Sequence, residues 1–246
     1  MCGRYTLKTS RRKIEAQFAV EELPLLEPRY NLGPTQDGLV VRPKDAPGTR
    51  TAALLRWGLI PGWTRAAGSA PLLINARAET VATKPAFRDA FKRRRCLVVA
   101  DGFYEWSRTV SRKQALHFTC NHGEPFAMAG LWERWHPTGA RPDDVMETYA
   151  IITTTANDVL APHHDRMPVI LDPEFYDDWL NPLLTHPEPL ERLLRPYPAM
   201  RMMARAVNPR VNNIRHDDPA CLEPPVGTED ADPASRTGQL DLGLGG

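Results

Sequence analysis

The stretch Cys96-Leu97-Val98-Val99-Ala100-Asp101-Gly102-Phe103-Tyr104-Glu105-Trp106 gives the first indication of the fold of this 246-residue chain. Residues 96–100 form a short β-rich run, which is typical of a buried strand. Residues 102–106 are a second apolar segment, and no helix signal separates the two. Short β-rich runs recur along the chain, so the fold class depends on how they alternate with helices.

Along the whole chain, β-rich runs outnumber helix signals. The predicted strands are Gly38–Arg42, Thr51–Trp57, Cys96–Ala100, Ala115–Thr119, Phe126–Leu131, Thr148–Thr154, Pro168–Leu171 and Met202–Val207. The predicted helices are Ser10–Ala19, Pro85–Arg94, Asp172–Leu180 and Pro187–Arg195. Because the strands do not alternate strictly with helices, the pattern favours an α+β fold around a barrel-like or sandwiched antiparallel sheet. A doubly wound parallel sheet is disfavoured.

The composition is that of a globular protein with a sizeable core, because 42% of the residues are apolar and 25% are charged. The 24 prolines favour short strands and ordered loops over a helical bundle. No apolar run approaches the roughly 18 residues of a membrane span, and the N-terminus lacks a signal-peptide stretch. The four cysteines form no C-x-x-C pair, which favours free thiols. We expect a cytoplasmic protein without a bound metal.

The formal charge of +1 gives no whole-chain sign of a polyanionic partner, but the charge is unevenly distributed. Residues 216–246 carry seven acidic side chains and one arginine. The first 215 residues therefore carry 30 basic and 23 acidic side chains, a charge of about +7. The last residues are rich in Gly, Pro and Asp. We predict a compact domain over residues 1–224 and a flexible acidic tail over residues 225–246.

Cys2 follows the initiator Met, and a residue this small normally permits removal of that Met. Cys2 would then carry a free α-amine, with a pKa of about 7.7 to 8.0, beside a thiol with a pKa of about 8.5. Such an aminothiol condenses with an aldehyde: the amine forms a Schiff base, and the thiol closes a thiazolidine ring. The alternative is that Cys2 packs as a small apolar residue.

Three polar residues lie inside or beside apolar segments, namely Asn75, Glu105 and His164. Burial of such groups is costly without partners. A carboxylate between aromatic residues is suited to moving protons near neutral pH, and so is a histidine. The alternatives are an ion pair between Glu105 and an arginine, and a hydrogen-bonded histidine at a strand edge.

Taken together, these segments resemble the SOS-response-associated peptidase (SRAP) family, whose members are abasic-site processing proteins. The matching blocks are Met1-Cys2-Gly3-Arg4-Tyr5, Arg29-Tyr30-Asn31 with Pro34-Thr35, Trp57-Gly58-Leu59-Ile60-Pro61, Asn75-Ala76-Arg77-Ala78-Glu79-Thr80, Ala100-Asp101-Gly102-Phe103-Tyr104-Glu105-Trp106, Ile151-Ile152-Thr153-Thr154, His164-Asp165-Arg166-Met167-Pro168 and Val211-Asn212-Asn213. They run in order from residue 1 to about residue 224.

The resemblance implies an SRAP-like α+β fold, with mixed and antiparallel β-sheets that form a barrel-like core with peripheral helices. It implies that Cys2, exposed by autocatalytic loss of Met1, crosslinks to the aldehyde of an abasic site in single-stranded DNA. Asn75 would position Cys2, Glu105 would act as general acid/base in ring opening and in Met1 removal, and His164 would move protons at the Schiff-base stage and in reversal. The implied protein is a cysteine-type autopeptidase with lyase-type, largely single-turnover chemistry on DNA.

The resemblance also implies residues that hold DNA without a cofactor. Arg4, Arg77 and Arg166 match the positions expected to grip phosphates, to which guanidinium groups are suited. Trp63 could stack on a base, although the family often has two adjacent tryptophans or Trp-Lys here and this chain has Trp63-Thr64-Arg65. The alternative for Trp63 is a lid over the core. The implied protein is a bacterial monomer at the nucleoid or replication fork.

Two further segments, one basic and one apolar, are candidate binding sites. The run Lys92-Arg93-Arg94-Arg95 is interpreted as a solvated helix end, with a remote phosphate contact as the alternative. In the tail, Gln239, Leu240, Leu242 and Leu244 resemble the peptides that dock on a bacterial sliding clamp. A random apolar tail end is the alternative.

Two rival functions remain open from sequence alone. An N-terminal-nucleophile cysteine amidohydrolase would use the same exposed Cys2 against an amide, with its own amine as base and Asn75 in an oxyanion hole. A non-catalytic single-strand-binding module would use only the arginines and Trp63. Covalent attachment to abasic DNA separates the three functions.

Overall fold

The computed structural model describes residues 2–44, 48–65, 72–107, 114–137, 139, 141 and 144–225. Its strands are β1 (Tyr5–Leu7), β2 (Arg29–Leu32), β3 (Asp37–Pro43), β4 (Arg50–Trp57), β5 (Asn75–Arg77), β6 (Arg95–Ala100), β7 (Gly102–Trp106), β8 (Ala115–Cys120), β9 (Phe126–Trp135), β10 (Met146–Thr155), β11 (Arg166–Pro168), β12 (Ile170–Leu171) and β13 (Met202–Ala206). Its helices are α1 (Arg11–Phe18), α2 (Arg88–Arg93), α3 (Tyr176–Leu180) and α4 (Pro187–Glu191). Met1 and the tail peptide at residues 239–244 lie outside the described residues.

Five strands close into a barrel. Around the ring, β10 pairs with β4, β4 with β3, β3 with β6, β6 with β9, and β9 returns to β10. The β10–β4 pairing is parallel and the other four are antiparallel. Three short strands, β5, β11 and β12, extend the barrel at its margins. A second, antiparallel sheet has the order β13-β8-β7-β1-β2. The predicted α+β class with a barrel-like core is confirmed.

Alternate residues of a strand point to opposite sides of the barrel wall. Both sides of the wall are buried, because each packs into a hydrophobic cluster. Leu97 and Val99 of β6 enter a cluster that includes Ile14 of α1 and Trp179 of α3. Val98 enters a second cluster, which holds residues of both sheets and also Cys2. The junction between the barrel and the second sheet is therefore a packed interior, and the N-terminal cysteine lies in it.

All eight predicted strands are present, with one divided. The run Pro168–Leu171 is split at Val169, whose N–H donates to Ile152 O of β10 at 2.9 Å and whose carbonyl accepts from Ala129 N of β9 at 2.8 Å. The chain thus crosses from one barrel strand to the next at Val169. All four helices are shorter than predicted, and α1 lacks only one residue at each end. The last predicted helix ends at Glu191, four residues before the predicted end at Arg195. A helix through Arg195 is disfavoured because Pro196 follows it.

The basic run at the end of α2 is only partly solvated. Lys92 and Arg93 are exposed, as predicted, but Arg95 is 3% exposed. Its guanidinium donates to Trp179 O at 2.6 Å, Phe91 O at 2.7 Å, Lys92 O at 2.8 Å and Asn181 O at 2.5 Å. Burial lowers the pKa of Arg95 to about 10. The solvated interpretation is therefore wrong for Arg95, which joins α2 and α3 to the barrel.

In the part of the chain that the structure describes, no helix is both long enough and apolar enough to cross a membrane.

Candidate functional site

Strand β10 organises one side of the site. Along one edge of β10, Ile151 is opposite Asn75 and Thr153 is opposite Arg77 in a parallel pairing. β11 pairs antiparallel with the same end of β10, where Thr155 is opposite Arg166. The C-terminal end of β10 therefore brings together residues that are distant in sequence.

Cys2 is fully buried, and Asn75 holds its backbone. The Asn75 side-chain Nδ2 donates to Cys2 O at 2.9 Å. The other polar atom of that side chain, Oδ1, is buried and accepts no hydrogen bond from the described residues. A buried acceptor without a donor is unfavourable, so Oδ1 is available to a donor that arrives with a bound molecule.

Glu105 lies beside the N-terminal segment because β7 pairs antiparallel with β1. Tyr5 is opposite Phe103, and Tyr104 N donates to Arg4 O at 3.0 Å. Glu105 is 4% exposed. Burial raises the pKa of the Cys2 thiol well above its ordinary value, and the charge of Glu105 raises it further. A hydrogen bond from the Arg4 backbone acts in the opposite direction.

His164 precedes β11 in a turn that fixes its ring. The backbone N–H of Arg166 donates to His164 Nδ1 at 2.9 Å, and Asp165 Oδ1 lies 3.0 Å from the same nitrogen. The preceding His163 reaches Ser107, just after β7, with Nδ1 3.4 Å from the serine Oγ. The histidine turn therefore adjoins the end of the strand that carries Glu105.

Arg166 is held by a carboxylate in this structure. Its NH1 and NH2 donate to Glu79 Oε1 at 2.5 Å and Oε2 at 3.0 Å, and NH2 also donates to Thr153 O at 2.5 Å. The guanidinium holds the pKa of the Glu79 carboxyl below its ordinary value. The two-oxygen geometry is the one that a phosphate would also offer.

Arg4, two residues after Cys2, is anchored by side-chain and backbone acceptors. Its NH1 donates to Asn31 Oδ1 at 2.8 Å and to Val211 O at 3.1 Å. Its guanidinium carbon lies 6.0 Å from the Trp106 ring centre, and Trp106 Nε1 donates to Asn212 Oδ1 at 2.6 Å. Desolvation lowers the pKa of Arg4.

Together these groups place a thiol, a carboxylate and an amide at one junction, with an imidazole on the adjoining turn. This set can deliver a nucleophile and move protons around it. The family profile described as SOS response associated peptidase (SRAP) matches residues 1–214. The chain belongs to the SRAP family.

Known relatives of this SRAP protein agree in name and in fold. The abasic site processing protein YoqW of Bacillus subtilis is 40% identical over 227 residues, which cover 91% of this chain and 99% of the relative. The abasic site processing protein YedK of Escherichia coli is 29% identical, with 91% of this chain and all of the relative covered. A protein of known crystal structure from Bacteroides thetaiotaomicron superposes with a TM-score of 0.80 at 26% identity, covering 91% of this chain and 99% of that one.

The remaining predicted residues of the SRAP protein lie on its surface. Arg77 is exposed on β5, and Trp63 is 68% exposed within the turn in which Thr64 N donates to Pro61 O. A residue this exposed is not a lid over the core, so the alternative for Trp63 is wrong. Among the residues that the structure describes, no hydrogen bond or ring contact joins Trp63 to Cys2.

Sequence reasoning missed two residues that support the site, Glu79 and Asn31. Asn31 accepts from Arg4, and its Nδ2 donates to Val211 O, Asn213 O and His216 O. Both residues stand in the blocks that carry the family resemblance, but neither has a local pattern that names its partner. Within the described residues, no three His, Cys, Asp or Glu side chains are grouped as a metal site requires.

Proposed function

We propose that this SRAP protein processes abasic sites in single-stranded DNA by forming a covalent thiazolidine through Cys2 after removal of Met1. The proposal takes its substrate from the abasic site processing relatives. The observation that carries its chemistry is the arrangement at Cys2, whose carbonyl is held by Asn75 at 2.9 Å while the buried Glu105 acts on its thiol. The reaction needs no cofactor.

The first step is hydrolysis of the Met1–Cys2 peptide bond. One water molecule is consumed, free methionine leaves, and Cys2 gains an α-amine. Glu105 is placed beside residues 2–4 by the β1–β7 pairing, and this position suits a group that takes a proton from the attacking water and returns it to the leaving amine. Loss of Met1 by autocatalysis makes the protein an autopeptidase, and Cys2 is the residue that it exposes.

The second step joins the protein to DNA. The Cys2 amine adds to the C1′ aldehyde of the ring-opened deoxyribose, and water leaves as the Schiff base forms. Cys2 Sγ then adds to C1′, and the thiol proton passes to the nitrogen. The net change joins one amine, one thiol and one aldehyde to a thiazolidine with release of one water molecule. Glu105 and His164 are the proton carriers, and reversal runs the same steps backwards.

Asn75 has two roles in this scheme. Its Nδ2 fixes the Cys2 carbonyl, so that the amine and the thiol of that residue face one reaction centre. Its buried, unpaired Oδ1 accepts a hydrogen bond from a hydroxyl of the opened sugar.

Other residues hold the DNA on either side of the lesion. The flanking phosphates bind arginines, for which Arg4, Arg77 and Arg166 are the candidates. Trp63 offers an exposed face to a base.

The test is incubation of the purified protein with a single-stranded oligonucleotide that holds one abasic site, followed by a denaturing gel. We expect a heat-stable, protease-sensitive adduct and no adduct with the undamaged oligonucleotide. Cys2→Ser keeps the amine and loses the thiol, so it should give only a Schiff base that borohydride traps. Absence of a stable adduct from the parent protein, or a full yield from Cys2→Ala, refutes the proposal. Retention of Met1, measured by mass spectrometry, refutes the autopeptidase step.

A further inference from the structure

The loop that carries His164 joins β10 to β11 and is closed at its base. Ala156 N donates to Asp165 O at 3.0 Å, next to the pairing between the two strands. This closure fixes the two ends of the loop. Residues 157–164 need further contacts to hold a single conformation, because ordering each residue costs conformational entropy.

Within the loop, two successive turns lead from Asn157 to His164. The carbonyl of Asn157 accepts from Leu160 N at 3.0 Å, and the carbonyl of Leu160 accepts in turn from His164 N at 2.9 Å. The Leu160 side chain is fully buried in the same cluster as Cys2. The backbone position of His164 therefore depends on Leu160, and that of Leu160 depends on Asn157.

The Asn157 side chain fastens these turns to a neighbouring segment of the chain. Its Nδ2 donates to Tyr197 O at 2.7 Å and to Met202 Sδ at 3.0 Å. Its Oδ1 accepts from Leu160 N at 3.1 Å. The amide thus serves two acceptors and one donor. A carboxylate at this position could accept from Leu160 N but has no hydrogen to donate.

The segment that receives these bonds is itself held in place. Tyr197 and Met202 are both buried, and the Tyr197 hydroxyl donates to Asn121 Oδ1 at 3.2 Å. Met202 begins β13, which pairs with β8, and β8 pairs in turn with β7, the strand of Glu105. Asn157 therefore connects the loop of His164 to the sheet that carries Glu105.

We infer that Asn157 is a positioning residue for the crosslinking reaction, and that its side chain fixes the turns that place the His164 imidazole. The inference rests on the proposed function, in which His164 moves protons. Asn157 touches no reacting atom and acts only through His164. Loss of its two donated bonds frees the loop to adopt other conformations, and a small displacement of a proton-transferring group slows a reaction strongly.

The experiment measures single-turnover rates of crosslink formation on an abasic single strand for the parent, Asn157→Asp, His164→Ala and the double variant. Asn157→Asp is nearly isosteric, keeps the acceptor for Leu160 N and removes the donor. Asp158→Asn is the matched control, because it changes the adjacent, exposed residue of the same loop. The maximal rate and the half-saturating strand concentration are determined separately, which distinguishes the chemical step from binding.

We expect Asn157→Asp to lower the maximal rate by about 10-fold, with the half-saturating concentration unchanged. Asp158→Asn should keep the parent rate. In the His164→Ala background, Asn157→Asp should change the rate by less than about twofold, because the residue through which it acts is gone.

A parent rate in Asn157→Asp, or an equal fall in both backgrounds, overturns the inference and leaves the proposed function standing. An equal fall would mean that Asn157 supports the structure in general and not His164 in particular. A parent rate in His164→Ala also overturns the inference, because no step then depends on the placement of that ring. If the parent itself forms no crosslink, the proposed function fails and the inference fails with it.

Discussion

At the scale of single residues, Cys2 is held in a form that resists reaction. Burial and the charge of Glu105 both raise the pKa of its thiol, so the thiol keeps its proton near neutral pH. The proposed chemistry requires that proton to leave during ring closure. Glu105 therefore has two opposing effects, because its charge disfavours the thiolate while its carboxylate moves the protons of the reaction.

Glu105→Gln separates these two effects. Removal of the charge should lower the Cys2 pKa and speed alkylation of Cys2 by iodoacetamide near neutral pH, measured by peptide mass spectrometry. Crosslink formation should fall by about 100-fold or more, since general acid–base catalysis is lost. Glu22→Gln changes an exposed carboxylate and should alter neither rate. Parallel falls in alkylation and crosslinking would contradict the opposing effects and indicate a loss of structure.

His117 gives a second residue-scale prediction, about stability. Its Nε2 lies 3.1 Å from Thr6 Oγ1, and burial lowers its pKa from 6.5 to about 3, with Arg205 adding to the shift. The folded protein therefore binds this proton less readily than the unfolded chain. Stability is fully present above pH 6.5 and falls as the pH decreases from 6.5 toward 3.

The measurement is the free energy of unfolding in urea at two pH values. Between about pH 7 and about pH 5, the titration of His117 alone should lower the free energy of unfolding of the parent by about 2 kcal/mol. His117→Gln carries no titrating group, so its loss over the same interval should be smaller by that amount, whatever its stability at neutral pH. Equal losses in the two proteins would show that His117 titrates alike in both states.

At the scale of strands and helices, local sequence patterns explain which strands and contacts were predicted from the sequence and which were missed. Each predicted strand is a short apolar run. It can be recognised from its own residues, without knowledge of the strand that it pairs with. The three-residue strands β1 and β5 carry no such run and exist because β7 and β10 supply partners for their backbones. The bond between Arg166 and Glu79 joins residues 87 positions apart, so no local spacing predicts it. The roles of the predicted site residues stay predictions.

Arg95 stabilises the contact of two helices with the barrel. Its four backbone acceptors tie the ends of α2 and α3 to β6, and removal of the guanidinium leaves buried carbonyl groups without donors. Arg95→Met should lower the free energy of unfolding by about 3 kcal/mol, measured by urea denaturation. Arg93→Met, two positions away and exposed, should change it by less than about 0.5 kcal/mol. Similar values for the two variants would refute the structural role of Arg95.

At the scale of the whole molecule, a net charge of +1 conceals a body of about +7 and an acidic C-terminal part. Deletion of residues 225–246 removes four acidic residues and one arginine. Non-specific affinity for an undamaged single strand should therefore rise several-fold at low salt and converge with the parent value at high salt. Fluorescence anisotropy across a salt series measures this. Equal affinities at low salt would show that the tail does not screen the body.

The attachment of the N-terminal strand has a mechanical consequence. Only three residues separate Cys2 from Thr6, whose hydroxyl donates to Asp101 Oδ1 at 2.6 Å, while the N–H groups of Lys8 and Thr9 donate to Asp101 Oδ2. β1 is also paired on both edges, with β2 and β7. An enzyme that moves along a DNA strand joined to Cys2 would exert a force on the protein. That force would reach β1 almost directly, because so few residues separate Cys2 from the anchored part of β1. Extraction of β1 requires both ladders to rupture together, so the linkage would behave as a rigid roadblock under load.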